Sequence, residues 1–441
     1  MQMMMFCCAS GLLQRRSSAM VSALSFVLLI SISCLNKQFI YLEELLFCKN
    51  DMNMLLVMMS ASLFLLVQLA SSKSNEDYFN FLMVLLLVIV VICFSSNNLL
   101  LFYLMFEGSL LPILVLIITW GYQQERLQAG TYMILYTVAG SMPLLVVILV
   151  MWNLTGNMNI YTLSQFGLGP YEMIMFLGMC AFAVKLPVYG IHIWLPKAHV
   201  EAPVEGSMVL AGVLLKLGGY GIVLFSCLIS FNQSWLMASF FTSLSIWGGL
   251  LACLVCMSQI DIKALIAYSS VVHMSLVVIG LMSGTSWGNV SALITMVAHG
   301  WASSALFLLS YITYKNVGSR SFLYTKGILM VYPTLSFYWF LLCAVNMSAP
   351  PSINFVGELF ILPAGMFLSG PLFICILLIM FLSVVYNMYL YAGINHGMLS
   401  CAMSSGSGLK SSYLLTLSGH LMPLLLVLSL NVVAACTGTC M

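Results

Sequence analysis

Apolar runs of roughly twenty residues recur along this chain between short polar loops, and that recurrence limits the fold more than any single motif. Runs at 52–70, 79–94, 97–120, 131–151, 171–195, 206–229, 238–257, 263–282, 288–312, 371–392 and 412–431 read as helical spans. At 1.5 Å of rise per residue, each crosses all or most of a hydrocarbon core about 30 Å thick. Residues 3–13 read as a truncated first helix, and 20–35 as a span that tilts or thins the bilayer locally. The region 329–368 is too long for one helix. The expected fold class is an all-α polytopic membrane protein of about 13–14 transmembrane helices.

Composition supports this. The chain is 62% hydrophobic and 6% charged with mean hydropathy +1.09, whereas soluble domains carry about 25% charged residues. The net charge of +2 comes without a basic patch, which leaves nucleic-acid binding unsupported. The 14 cysteines stand singly or as Cys7-Cys8, without CxxC or metal-ligand spacing, and read as small apolar residues. No secretory signal or Arg-rich presequence is evident, because Arg15-Arg16 follow an apolar stretch instead of preceding one. The 33 methionines fit a chain made beside its own membrane.

The polar loops are those around Lys37, Glu43, Glu44, Lys49 and Asp51, from Ser71 to Asp77, and GYQQERLQAG at 121–130. The stretch 152–170 is expected to cross the membrane surface, and 313–327, with Lys315, Arg320 and Lys326, is the clearest positive loop. Two spans carry helix-breaking prolines, at Lys185-Leu186-Pro187 and at Ala349-Pro350-Pro351. Each break falls late in a block of about five spans, beginning near 79 and near 240. Broken helices at corresponding places in two halves form the pattern of an inverted-repeat transporter. The expected division is 1–78 for N-terminal helices, 79–237 and 238–392 for two inverted five-helix repeats, and 393–441 for a C-terminal loop and helix.

Ionisable residues inside such spans are expensive and call for a function. Glu107 sits ten residues into the run 97–120, about 15 Å from its polar end. Lys185 abuts the first break, Lys216 lies mid-span beside Gly218, Gly219 and Gly221, and Glu358 follows the second break. A carboxylate beside a lysine at low dielectric changes its proton affinity when the lysine moves. A buried lysine becomes a proton acceptor near neutral pH. His273 and His299 lie in apolar spans, flanked by Ser269, Ser270, Ser303 and Ser304. Either imidazole can serve as a satisfied core group or as a water-linked proton carrier. Lys263 can anchor at the interface or join the relay. His192 and His199, followed by Glu201 and Glu205, lack the HExxH spacing of a zinc helix and read as a surface loop, with a proton funnel as one use. Asp261, Glu125 and Arg126 read as interfacial or capping groups.

Longer motifs carry a family resemblance. They are FEGSLLP at 106–112, GYQQERLQAGTY at 121–132, KLPVYGIHIWLPKAHVEAPVEGSMVLAGVLLKLGGYG from Lys185, DIKALIAYSSVVHMSLV at 261–277, VAHGWASSALF at 297–307 and PPSINFVGELF at 350–360. Together they resemble the subunit-4 family of mitochondrial NADH–ubiquinone oxidoreductase, antiporter-like subunits of respiratory complex I, strongly over about 95–420. The resemblance implies a multi-pass subunit of the mitochondrial inner membrane that translocates protons. It also implies neighbouring antiporter-like membrane subunits and lipids as partners. No flavin, iron–sulfur cluster, quinone site or metal is implied in this chain, NADH and ubiquinone being used by the whole complex. The family's relay positions fall on Glu107, Lys185, Lys216, His273, His299 and Glu358. Two departures stand out: Thr119 precedes Trp120-Gly121 where relatives carry arginine, and SSGSGLKSS near the C-terminus lacks a charged segment.

The expected mechanism loads protons near Lys216 and passes them through His273 and His299 to Glu358, with Glu107–Lys185 as an electrostatic switch. The alternatives are an autonomous Na⁺/H⁺ antiporter and a structural membrane scaffold.

Overall fold

A computed structural model describes residues 24, 25, 27, 51–71, 76–165, 172–228, 235–398 and 409–425. The expected segments at 3–13 and most of 20–35, and the loop residues before Asp51, lie outside the described residues. Among the described residues, regular structure is helical apart from two isolated β-bridges. Nine helices among the described residues are long and apolar enough to cross a membrane.

The helices run in order as α1 (Asp51–Ala70), α2 (Asp77–Ser95), α3 (Leu99–Gly108), α4 (Leu110–Trp120), α5 (Arg126–Thr155), α6 (Ile160–Gln165) and α7 (Glu172–Lys185). Next come α8 (Trp194–Glu201), α9 (Val204–Val209), a π-helical turn at Leu210–Leu214, α10 (Leu215–Leu228), α11 (Trp235–Ser258), α12 (Ile262–Met282) and α13 (Ser286–Val317). The last are α14 (Ile328–Val331), α15 (Pro333–Asn346), α16 (Ile353–Leu368), α17 (Gly370–Asn395) and α18 (Ser411–Leu425). The count of nine falls below the expected 13–14 partly because two crossings are cut into shorter pieces, α7 with α8 and α15 with α16.

Both cuts follow from proline chemistry, since proline has no N–H to continue the ladder. The first leaves carbonyls at the end of α7, and the Trp194 indole N–H donates to Val184 O at 3.0 Å. At the second, Asn354 Nδ2 donates to Val345 O at 3.0 Å. Each break is thus capped by a side chain from the segment that follows it, as lipid-depth backbone requires.

Other boundaries shift for local reasons. The run 97–120 is interrupted at Ser109, and Asn98 caps its start by accepting from Leu100 N at 3.0 Å. The positive loop is shorter than expected, because α13 continues through Lys315 to Val317 and ends on left-handed Gly318 (φ 77°). A lysine in the last turn suits the negative end of the helix dipole.

The described chain buries α12, α13 and the α9–α10 segment most deeply, while α5 and α17 leave most of their apolar surface exposed. Helix α13 packs along α12 and α16, α12 along α11, and α5 along α7. Glycine sets two of these approaches. A Cβ on Gly218 would stand 3.2 Å from Leu186 N, so α10 presses against the first break. Gly212, in the π-helical turn, faces Gly300 of α13, where a Cβ would stand 3.4 Å from the Gly300 carbonyl. The position of Lys216 follows from both contacts.

Candidate functional site

A row of buried ionisable side chains runs through the core from α10 to α16. Lys216 is fully enclosed, and its ammonium nitrogen lies 3.1 Å from His299 Nδ1 on α13. It also donates to Ala211 O at 2.5 Å, inside the π-helical turn. A π turn displaces the i→i−4 pattern, and such turns gather at functional sites. The His299 and His273 rings lie 5.3 Å apart, tilted by 49°. His273 Nδ1 then lies 3.9 Å from Glu358 Oε1. All four residues are buried.

The sequence left the order of the two histidines open, and the structure sets it: His299 touches Lys216 and His273 touches Glu358. Chain order gave no access to this, because α12 and α13 are antiparallel neighbours and either ring could have faced α10. Among the described residues, no direct hydrogen bond joins the serines to the row. Ser269, Ser270, Ser303 and Ser304 turn their hydroxyls onto carbonyls of their own helices, at 2.6–3.0 Å, the usual intrahelical bond of these residues.

Glu107 and Lys185 form a second group. Lys185 Nζ donates to Phe106 O at 2.6 Å and to Ser109 Oγ at 3.3 Å, and sits 3.5 Å above the Phe106 ring. Among the described residues no ion pair joins it to Glu107, whose half-buried carboxylate has an unpartnered Oε1. The ammonium therefore rests on Ser109, at the α3–α4 interruption, and on Phe106, one turn before it. One residue further along an α-helix points about 100° away, so Glu107 stands beside the lysine without meeting it. Neither partner was visible in the sequence, since carbonyls and aromatic faces leave no charge pattern.

At one end of α12 lies a polar cluster. Lys263 Nζ donates to Ala202 O at 3.1 Å, and Arg320 donates to Val200 O at 3.1 Å. The Gln123 amide, oriented to donate to Glu201 Oε1 at 3.0 Å, accepts from Arg320 at 2.5 Å. A small cavity of about 20 Å³ opens here, lined by Tyr122, Lys263, Tyr311, Tyr314 and Arg320 among others. Burial, with Tyr311 and Glu205 nearby, pushes the Tyr122 phenol well above its usual range, so it remains a donor. His192 accepts from Gly190 N at 3.2 Å and stacks on Tyr189. His199 is buried against the Phe307 ring at 4.6 Å, with neither ring nitrogen bonded among the described residues. Among the described residues, no three His, Cys, Asp or Glu side chains gather as a metal site would need.

Arg320 ties the loop after α13 to the end of α8. Arg320→Ala is expected to destabilise the fold by about 1–2 kcal/mol, the usual worth of a charged hydrogen bond at a half-buried place. Thermal unfolding of the assembled protein checks this, and faster proteolysis in the loop 319–327 should accompany it.

The sequence matches the membrane family described as NADH:quinone oxidoreductase/Mrp antiporter over residues 96–386. It is also 47% identical over 327 residues to the NADH-ubiquinone oxidoreductase chain 4 of Albinaria caerulea, covering 74% of this chain and 75% of that one. The chain belongs to this family. Its fold is similar to a chain of respiratory complex I from Thermus thermophilus with bound NADH, at TM-score 0.88 and 22% identity over 99% of this chain and 97% of that one. It is similar as well to a chain of the Mrp complex from Dietzia sp., at TM-score 0.85 and 16% identity, covering 99% and 96%. Within the family's motifs, the departure at Thr119 is exposed: its hydroxyl turns back to Val115 O at 2.6 Å, while Trp120 holds Glu76 at 2.8 Å.

Proposed function

We propose that this chain moves protons through the buried row Lys216, His299, His273, Glu358, as a membrane subunit of an NADH:ubiquinone oxidoreductase. The chain is a multi-pass protein of the mitochondrial inner membrane, and NADH oxidation and quinone reduction belong to other subunits. One observation carries the reading: two imidazoles span the interior between a buried amine at 3.1 Å and a buried carboxyl at 3.9 Å. Each imidazole can accept a proton at one nitrogen and release one from the other. An apolar core of equal volume would be easier to build, so a row of four such groups argues for transport over support.

Lys185 and Glu107 act as the switch in this reading. The amine rests beside Glu107 on Phe106 and Ser109, and displacement toward Lys216 raises the penalty for a proton there by like-charge repulsion. The divisions 79–237 and 238–392 serve as two inverted repeats, flanked by 1–78 and 393–441. The matching side-chain caps on Val184 and Val345 support that division. The partners are other membrane subunits in a hetero-oligomer, with the exposed apolar helices α5 and α17 as docking faces.

Glu358→Gln in the assembled complex tests the relay. The variant keeps size and hydrogen bonding but cannot carry the proton. Coupled NADH oxidation and proton pumping should fall together by about tenfold or more, the scale on which a proton-transfer group contributes. Native pumping in a fully assembled Glu358→Gln complex would overturn the relay, and sodium–proton exchange by the isolated chain in liposomes would overturn its dependence on electron transfer.

A further inference from the structure

The FEGSLLP motif begins with a side chain that the relay does not use, Phe106. Its ring lies beneath the Lys185 ammonium, 3.5 Å from Nζ to the ring centroid. The carbonyl of the same residue accepts from Lys185 Nζ at 2.6 Å and from Ser109 Oγ at 2.7 Å. Ser109 Oγ in turn accepts from the ammonium at 3.3 Å. All three residues are buried. The lysine stem is rooted against α10, since a Cβ on Gly218 would stand 3.2 Å from Lys185 Cβ.

The Phe106 ring is itself held from several sides. Phe102, one turn earlier on α3, lies 5.6 Å from it, and Phe182 of α7 meets it edge to face at 5.9 Å. Phe102 packs in turn on Tyr220 of α10 at 5.9 Å, and Phe182 on Phe225 at 6.0 Å. Glycines make the room: a Cβ on Gly221 would collide with the Phe182 ring, and one on Gly178 with the Phe225 ring. Three helices thus fix one aromatic face under one cation. Leucine or methionine would serve as an apolar core residue here without a negative π-face, so packing alone gives no reason for a ring.

We propose that Phe106 is a positioning residue of the switch: its ring and carbonyl form a seat that holds the Lys185 ammonium off Glu107. The proposal rests on the relay reading above. At low dielectric an ammonium and a carboxylate in contact attract strongly, and a pair with no competing seat closes and stays closed. A ring face, a carbonyl and a hydroxyl attract the same cation through a quadrupole and dipoles. They bring no counter-charge, so Lys185 seated on Phe106 keeps its full field toward Lys216, whereas Lys185 paired with Glu107 is neutralised. The seat therefore sets the open position of the switch and makes it reversible. No covalent bond changes in the step. Only the amine end of Lys185 moves, between Phe106 and Glu107 Oε1, which is unpartnered among the described residues.

The test is Phe106→Leu in the native complex, read by proton pumping, by the KM for NADH and by where a structure of the variant places Lys185. Glu358→Gln is measured beside it. The proposal predicts native assembly, an unchanged KM and the Lys185 ammonium in contact with the Glu107 carboxylate. Pumping falls by about fivefold or more, within the range of a desolvated cation–π contact. Phe106→Tyr keeps the ring face and should leave the ammonium seated and pumping close to native. A merely structural phenylalanine predicts that Lys185 stays in place, whatever happens to the rate. Pumping lost with Lys185 unmoved overturns the proposal, as does an assembled Phe106→Tyr complex that no longer pumps. Native pumping in Phe106→Leu with loss in Glu358→Gln overturns this proposal and leaves the relay standing. Native pumping in both overturns the two together. Should Phe106→Leu fail to assemble, Phe106→Met, which comes nearer the ring in length, decides on the same readouts.

Discussion

If Lys216 carries the proton as proposed, Lys216→Met is expected to abolish pumping while leaving the protein assembled. Methionine matches the length of the lysine stem and packs well in apolar interiors, so the contacts around Gly300 and Met59 are kept. Two bonds are lost, to His299 Nδ1 and to Ala211 O. An orphaned carbonyl costs about 1–3 kcal/mol, offset in part because an amine no longer has to be buried. Proton transfer has no such offset, and coupled turnover should fall by about 10²–10⁴-fold. Lys216→Arg separates relay from scaffold. Arginine keeps a positive charge and several donors but does not give up its proton, so a relay fails with arginine as it does with methionine. A scaffold retains activity with arginine. Pumping measured in vesicles against the amount of assembled complex checks both variants.

Gly288→Ala should be the most damaging small substitution in the core. A Cβ at Gly288 collides with the Gly280 carbonyl and with Ser283 Oγ, and would stand 3.1 Å from Thr285 Oγ1. The reciprocal contact, from Gly280 to the Gly288 carbonyl, would be 2.7 Å. A side chain can rotate out of the way, but a backbone carbonyl inside a helix cannot. The wedge therefore pushes α12 from α13 at the hairpin that joins them, and these helices carry His273 and His299. The expected loss is about 2–3 kcal/mol, at the upper end for overpacking, seen as a lower unfolding temperature and reduced assembly. Gly370→Ala is the control, because nothing lies within 4 Å of a Cβ there. It should change stability by less than about 0.5 kcal/mol.

The residue types of the site were legible because the bilayer makes them conspicuous. A charge in twenty apolar residues needs a reason, so Glu107, Lys185, Lys216 and Glu358 stood out with no structure in hand. Proline fixed the breaks equally early, since a missing N–H acts locally. The pairings were a different matter. Lys185 was expected on Glu107 by charge alone, yet its ammonium is taken by the Phe106 carbonyl, Ser109 and an aromatic face. The serines beside the histidines suggested a water path; their hydroxyls donate to intrahelical carbonyls, which leaves only their lone pairs for such a path.

By itself, the sequence determined an all-helical membrane protein, the places where two helices break, and the residues able to carry a proton. These follow from local quantities: apolar length, one proline, one charge in hydrocarbon. Only the tertiary structure decided the order Lys216, His299, His273, Glu358, the π turn that offers Ala211 O to Lys216, and the hydrogen bond from Asn346 to Asn387 that joins α15 to α17. Those depend on how helices far apart in the chain rotate and approach, set by contacts such as Gly212 on Gly300 and Gly280 on Gly288. A glycine in the sequence says that a neighbour can come close. Which neighbour comes is settled only when every helix has found its packing partner.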